Sequence, residues 1–179
     1  ILIASTLRLA PHLPNFTPIG AMAIFGGAYI PKKYSMIAIL LTLIISDYLL
    51  LYINPFSANW LNFQRIYSPF DLIHSTTLFV YGSFLVNVVI GWVISKHKTL
   101  PVLAIGSLIA SIQFFLITNY AVWLTGTYYE KSMSGLMTSY MMGLPFFKYT
   151  IIGDLAYTAL FFAAIEFKKI PRIKFNFSN

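Results

Sequence analysis

The sequence predicts an all-α integral membrane protein that forms a six-helix bundle. Hydrophobic residues make up 58% of its 179 residues and charged residues only 9%, whereas an average soluble domain carries about 25% charged residues. Apolar segments also recur along the chain, and a helix needs about 20 apolar residues to cross a bilayer core. The composition therefore excludes a disordered chain, a nucleic-acid-binding domain and an ordinary soluble enzyme.

The first three predicted spans cover about residues 1–10, 15–30 and 34–53. The first begins inside an apolar run, and we expect it to be the end of a longer helix. The second is short and rich in small residues. Prolines at or near the boundaries of these spans stand where helices tolerate them.

The other three spans are predicted at about residues 70–95, 100–124 and 150–167. Before the last of them, residues 132–143 are moderately apolar and rich in Met, but too short and too rich in Gly and Ser to cross a bilayer comfortably. We expect an interfacial or re-entrant helix there. The whole chain is predicted to be a single transmembrane domain.

The basic residues follow the alternation of loops that six spans would produce. Eight of the twelve Lys and Arg fall on one side, and the positive-inside rule assigns that side to the cytoplasm. Both termini are then cytoplasmic in a bacterial inner membrane. The net charge of +7 is mostly a topology signal, so it does not indicate nucleic-acid binding. The eight residues are Lys32, Lys33, Lys96, Lys98, Lys168, Lys169, Arg172 and Lys174.

Ionisable residues inside apolar spans are costly and are often functional. Arg8, Asp47 and Asp154 fall at similar depths in the outer halves of their spans. Other polar residues share this level, which predicts a polar, aromatic-lined cavity that opens outward and is closed below by apolar packing. The predicted ligand-binding residues are Asn15, Thr17, Asp47, Asn119, Trp123 and Asp154.

For Arg8, His12 and His74, the sequence leaves both a ligand-binding role and a structural role open. Arg8 either contacts an anionic group of the ligand or neutralises Asp47 or Asp154. His12 and His74 either touch the ligand or are satisfied interfacial residues.

Small residues recur at helical spacing in two spans, at Gly20, Ala23 and Gly27 and again at Ala159 and Ala163. Such residues let helices approach closely in a bilayer. The first set either packs inside the bundle or forms a docking face for another membrane protein. We expect the second set to face inward.

Neither catalysis nor metal binding is indicated. The chain has no cysteine, and its three histidines lie in three segments without the spacing of a metal site. No GxSxG, HExxH, Walker A or Rossmann glycine pattern is present. We therefore expect no enzyme activity, no metal and no cofactor, and the chain cannot drive transport with ATP by itself.

The stretch RLAPHLPNFTPIGAMAIFGGAY at residues 8–29 resembles the signature of an uncharacterised bacterial membrane family labelled as transport proteins. Ser46-Asp47, TNYAVWL at 118–124 and GDLAYT at 153–158 match it as well, so the resemblance covers most of the chain. This family is similar to the substrate-binding S components of energy-coupling factor transporters.

The resemblance implies a six-helix bundle that binds a vitamin or similar micronutrient from outside and hands it inward by toppling in the membrane. A transmembrane coupling protein with two cytoplasmic ATPases would supply the energy. The Ala-x-x-x-Ala docking pattern of S components is absent from residues 1–11, which leaves a solitary carrier or a subunit of another membrane complex open.

The sequence therefore predicts a substrate-binding membrane carrier for a small, water-soluble, vitamin-like micronutrient. The alternative is a non-transporting accessory subunit of a larger membrane protein complex.

Overall fold

The computed structural model describes residues 2–10, 13–55 and 73–169, with side chains for 5–10, 13–55 and 73–165. Over these ranges it contains α-helices and no β-strand, which confirms the predicted all-α class. The six described helices are α1 (Leu2–Leu9), α2 (Ile19–Tyr29), α3 (Lys32–Leu50), α4 (Thr77–Ile94), α5 (Leu100–Thr125) and α6 (Met133–Lys169).

Four of these helices, α3 to α6, are long and apolar enough to cross a membrane. Large apolar side chains on their outer faces are exposed, for example Leu78 and Leu160, as expected for surfaces that contact lipid. The 11 residues of α2 extend only about 17 Å, which is shorter than a bilayer core of about 30 Å. The long helices support the prediction of a membrane protein.

The backbones of α2 and α4 touch where the two helices cross. A Cβ atom on Gly27 would collide with the carbonyl of Val88, and a Cβ on Gly91 would collide with the carbonyl of Ile24. Only glycine at both positions permits this approach, a common device of helix packing in membranes. The buried apolar residues that form the core on either side of the crossing are Ile19, Ala23, Ile24, Ile39, Leu43, Phe84, Val88, Ile94, Leu103, Ala110 and Phe162.

The start of α2 lies inside the structure rather than at its end. Gly20, in the first turn of α2, shares a cavity wall with Val80 of α4. Counting back along α2 from the Gly27–Gly91 crossing places its first residue level with the second turn of α4, about 9 Å past the start of that helix. The segment that precedes α2 therefore enters the interior.

A long antiparallel hairpin is formed by α5 and α6. Ser139 Oγ donates to the carbonyl of Asn119 at 2.9 Å, and Tyr140 OH donates to the carbonyl of Leu116 at 3.1 Å. These bonds hold the first third of α6 along the end of α5.

The structure differs from the prediction of a separate helix at residues 132–143. That segment and the predicted sixth span, 150–167, belong to one helix of 37 residues. Pro145 lies inside it, although proline lacks an N–H and commonly ends helices. Packing against a neighbouring helix lets an apolar helix continue through proline, and the sequence alone does not show that packing.

The basic loops lie at one end of the structure. Lys32 Nζ lies 5.3 Å from the centre of the Trp92 ring, which places the start of α3 beside the end of α4, and Lys98 lies in the loop between α4 and α5. At the opposite end, Thr125 Oγ1 donates to Ser75 Oγ at 3.0 Å. We call the first end the lysine-rich end.

Candidate functional site

A cavity of about 130 Å³ lies at the buried start of α2. We call it the central cavity. Residues from α1, α2, α4, α5, α6 and the segment before α2 line it, so it contains four of the side chains singled out from the sequence: Arg8, Asn15, Thr17 and Asp154. The other lining residues are Gly20, Val80, Phe84, Asn87, Phe114 and Thr150.

A second cavity of about 120 Å³ adjoins the first and shares Asn15, Phe114 and Thr150 with it. Asn119 lines this second cavity, where its Nδ2 donates to a carbonyl one turn earlier in α5 at 2.8 Å. Gly143 of α6 packs directly on the Asn119 side chain, because a Cβ there would collide with Oδ1. Asn119 thus lies near the central cavity but not on its wall.

The segment before α2 is shaped by a tight turn at residues 13–16. The Phe16 N–H donates to the carbonyl of Leu13 at 3.0 Å, and Asn15 adopts a left-handed conformation with φ of 63°, which asparagine tolerates better than most residues. Asn15 is exposed and lines both cavities. It therefore lies where both cavities reach the surface.

Asp154 holds the start of α2. Its carboxylate accepts a hydrogen bond from the backbone N–H of Ala21 and one from Ser111 Oγ at 2.7 Å. A Cβ on Gly20 would collide with this carboxylate, so glycine is needed beside it. The first N–H groups of a helix lack partners within the helix, and Asp154, only 4% exposed, supplies one to a helix that begins in the interior.

Arg8 pairs with Asp47 and not with Asp154. Arg8 Nη1 lies 2.5 Å from Asp47 Oδ1 and 2.5 Å from Ser46 Oγ, while Tyr81 OH donates to Asp47 Oδ2 at 2.5 Å. This network joins α1, α3 and α4. Asp47 lies on the wall of neither cavity described above, but it binds Arg8, which lines the central cavity.

Asn87 is a buried amide on the wall of the central cavity, only 1% exposed. Gln113 Nε2 donates to Asn87 Oδ1 at 2.7 Å and to the carbonyl of Ser83 at 3.0 Å. This pair links α4 to α5 beside the cavity and fixes the orientation of the Asn87 amide.

Two of the predicted candidates have local roles away from both cavities. Trp123 Nε1 donates to the carbonyl of Glu130 at 2.8 Å, and Lys131 Nζ lies 5.7 Å from the Trp123 ring, so Trp123 braces the turn between α5 and α6. His74 Nδ1 lies 2.9 Å from Thr77 Oγ1 at the start of α4. Another predicted candidate, His12, lies outside the described residues.

The small-residue face of α2 packs within the chain. Gly20, Ala23 and Gly27 are all buried, and contacts with Asp154 and α4 cover two of them. These positions are therefore not available to a partner protein. The expectation that the second pair faces inward is wrong for Ala159, which is exposed, while Ala163 is half-buried.

The cavity walls also contain residues that the sequence did not single out as ligands, namely Phe84, Asn87, Phe114 and Thr150. The polar pair Asn87 and Gln113 in the middle of apolar helices was a visible signal. Thr150 gave none, because its Oγ1 donates to the carbonyl of Phe146 one turn earlier and such a bond lets a hydroxyl sit in an apolar helix. Among the described residues, no group of three or more His, Asp or Glu is placed to hold a metal ion.

A protein family described as a family of unknown function, DUF6580, matches residues 1–175, and the chain belongs to it. This agrees with the resemblance to an uncharacterised family, but it gives no support to similarity with S components of energy-coupling factor transporters. No curated protein and no solved structure matches the chain.

Proposed function

We propose that the chain is a membrane carrier that binds a small water-soluble solute in the central cavity and brings it into the bacterial cell. The observation that carries this proposal is a cavity at the buried start of α2, where polar side chains from several apolar helices meet. Polar groups in such a position are costly unless they serve a ligand or an internal network. The lysine-rich end faces the cytoplasm in this proposal, as the positive-inside rule favours.

The size of the cavity limits the solute. Drug-sized ligands occupy pockets of about 300–1,000 Å³, whereas the central cavity measures about 130 Å³. A solute of a few non-hydrogen atoms fits the structure as it stands. A vitamin-sized solute requires the two cavities to join, and displacement of the shared side chains of Asn15, Phe114 and Thr150 would join them.

The chain would not drive transport with ATP by itself, because the sequence contains no Walker A motif. A transmembrane coupling protein with two cytoplasmic ATPases is one arrangement that would supply the energy, and another membrane complex or a carrier that works alone are the others. Catalysis has no part in this proposal.

The test is to purify the protein in mild detergent and identify bound small molecules by native mass spectrometry. Val80→Trp should fill the central cavity, and Val86→Trp is its matched control, because Val86 lies on the same helix and is 40% exposed. We expect a stoichiometric small molecule with the wild type and with Val86→Trp, and none with Val80→Trp. Folded but empty wild type, or equal occupancy in both variants, would contradict the proposal.

The second candidate is a non-transporting accessory subunit of a larger membrane complex. The observation that favours it is that both carboxylates have partners within the chain, since Asp47 pairs with Arg8 and Asp154 accepts hydrogen bonds from the Ala21 N–H and from Ser111. In that role, replacing either carboxylate by alanine would impair assembly without changing the uptake of any solute.

A further inference from the structure

The charges in and directly beside the central cavity do not balance when Asp154 is ionised. Arg8 and Asp154 are the two ionisable side chains among its lining residues. The charge of Arg8 is already balanced by Asp47 at 2.5 Å, whereas the described residues place no cationic side chain in an ion pair with Asp154. With Asp154 in its carboxylate form, the region consisting of Arg8, Asp47 and Asp154 carries one excess negative charge.

The neutral donors around Asp154 offset this charge only in part. Ser111 and the N–H of Ala21 each donate one hydrogen bond, and the start of a helix contributes about half a positive charge. A buried carboxylate without a cationic partner is strongly unfavourable as an anion. A ligand that brings a full positive charge into the cavity would remove this penalty.

Aromatic rings stand on the cavity wall together with Asp154. The ring centres of Phe84 and Phe114 lie 5.0 Å apart at an interplanar angle of 42°, and both residues line the central cavity. Aromatic rings attract ammonium ions, most strongly where water is excluded. Thr150 also lines the cavity. Because its Oγ1 donates its proton to the Phe146 carbonyl at 3.2 Å, this oxygen faces a ligand as a hydrogen-bond acceptor.

We infer that the central cavity recognises a small organic cation with an ammonium group, which Asp154 binds by charge and Phe84 and Phe114 bind through their rings. The inference rests on the proposed function, because it names the solute class of the same cavity. The volume of about 130 Å³ restricts the cation to a few non-hydrogen atoms.

The test uses three probes of similar size and different charge: ethylammonium, acetamide and acetate. Each is titrated into detergent-purified protein in an amine-free buffer, with thermal unfolding and calorimetry as readouts. Ethylammonium should raise the unfolding temperature in a concentration-dependent way, whereas acetamide and acetate should not.

Two variants and one control assign the binding to its residues. Asp154→Asn should weaken ethylammonium binding by about 10- to 100-fold, and its amide oxygen can still accept from the α2 N–H group, so that the helix start is retained. Phe114→Leu should weaken binding by about 2- to 30-fold and leaves Asp154 in place. Glu130→Gln removes an exposed carboxylate outside both cavities and should have no effect.

The inference is overturned if acetate or acetamide binds as well as ethylammonium, if none of the probes binds to folded wild type, or if Asp154→Asn and Phe114→Leu both bind ethylammonium like the wild type. These outcomes differ from failure of the proposed function. An anionic or neutral molecule bound to the wild type and lost in Val80→Trp would overturn the ammonium inference while the carrier proposal stands.

Discussion

At the scale of single residues, the structure depends on a few contacts in which one small residue makes room for a polar group. Gly20 leaves space for the Asp154 carboxylate, and Gly143 leaves space for the Asn119 amide. In both cases the polar side chain lies at a cavity. Replacing either glycine by alanine therefore tests the site without introducing a charge.

Gly20→Ala should destabilise the protein by about 1–3 kcal/mol, because the new methyl group would collide with Asp154. The midpoint of thermal unfolding in detergent measures the effect. Gly26→Ala is the control on the same helix, since the nearest atom to its new Cβ would be Ile30 Cδ1 at 3.8 Å, and it should be neutral or slightly stabilising. Equal stability of the two variants would show that Asp154 does not occupy this position.

Asp47→Ala should destabilise the protein by about 2–3 kcal/mol, because Arg8 loses a charged hydrogen-bond partner. Tyr81→Phe, which removes one neutral donor to the same carboxylate, should cost about 1 kcal/mol. A double-mutant cycle with Arg8→Ala measures the coupling between the charges. Additive effects of Arg8→Ala and Asp47→Ala would mean that the ion pair contributes nothing.

At the scale of the helices, close contacts between backbones determine where α2 can lie. The crossing with α4 at Gly27 and Gly91 fixes its depth. The 11 residues of α2 are then too few to reach the end of the structure that lies opposite the lysine-rich end. The cavity follows from this short helix, because the segment at residues 13–18 fills the remaining depth less completely than a helix would.

Gly91→Ala should destabilise the protein by about 1–3 kcal/mol, because its methyl group would force the backbone of α2 away from α4. Gly82→Ala on the same helix is the control, since no atom lies within 4 Å of its new Cβ. Thermal unfolding compares the two variants. If Gly91→Ala is as stable as Gly82→Ala, the two backbones do not touch at this crossing.

Chemical cross-linking can test whether residues 133–143 continue α6 along α5. The sequence contains no cysteine, so a cross-link can form only between the two cysteines that are introduced. Leu116→Cys with Tyr140→Cys should react efficiently with a short bis-maleimide, because the Tyr140 hydroxyl lies 3.1 Å from the Leu116 carbonyl. Leu116→Cys with Leu160→Cys should react poorly, because Leu160, although 59% exposed, lies about 30 Å further along α6 than Tyr140. The reverse order of yields would contradict the hairpin.

Hydropathy and proline spacing predicted most of the helix positions from the sequence. The predicted span 100–124 agrees closely with α5, whereas α6 begins at Met133 and not near residue 150. The difference arises at Pro145, where local sequence favours a break and packing against α5 maintains the helix. The contact with α5 that maintains the helix at Pro145 has no signature in the sequence.

The candidate site was partly predictable, for a related reason. Arg8, Asn15, Thr17 and Asp154 attract attention because polar groups in apolar spans are rare, and they line one cavity. Trp123 was predicted as a ligand because it shares a helix face with Asn119, yet it bonds to the turn at Glu130. Helical spacing identifies a shared face but not the neighbour that this face meets.

At the scale of the whole molecule, the separation of charge between the two ends bears on orientation. The start of α3, with Lys32 and Lys33, and the loop with Lys96 and Lys98 lie together at one end, and Lys131 lies near Trp123 at the other. Positively charged loops are retained on the cytoplasmic side. The arrangement thus makes a definite prediction for each loop.

Single cysteines introduced into intact cells can test this orientation. Lys131→Cys should react with a membrane-impermeant maleimide added outside, whereas Lys96→Cys should react only after the membrane is permeabilised. Both positions are exposed in the structure, so accessibility within the fold does not decide the result. If Lys96→Cys is labelled in intact cells and Lys131→Cys is not, the orientation is the opposite of the one proposed.

The length of α6 also constrains how the molecule meets its surroundings. Its 37 residues extend about 55 Å, nearly twice the hydrocarbon thickness of a bilayer. Even at a tilt of about 40°, the upper end of the usual range, it would still project about 42 Å along the membrane normal. At least one end of α6 therefore stands among lipid headgroups or in water, and changes in bilayer thickness would act on this helix, whose inner face carries Asp154.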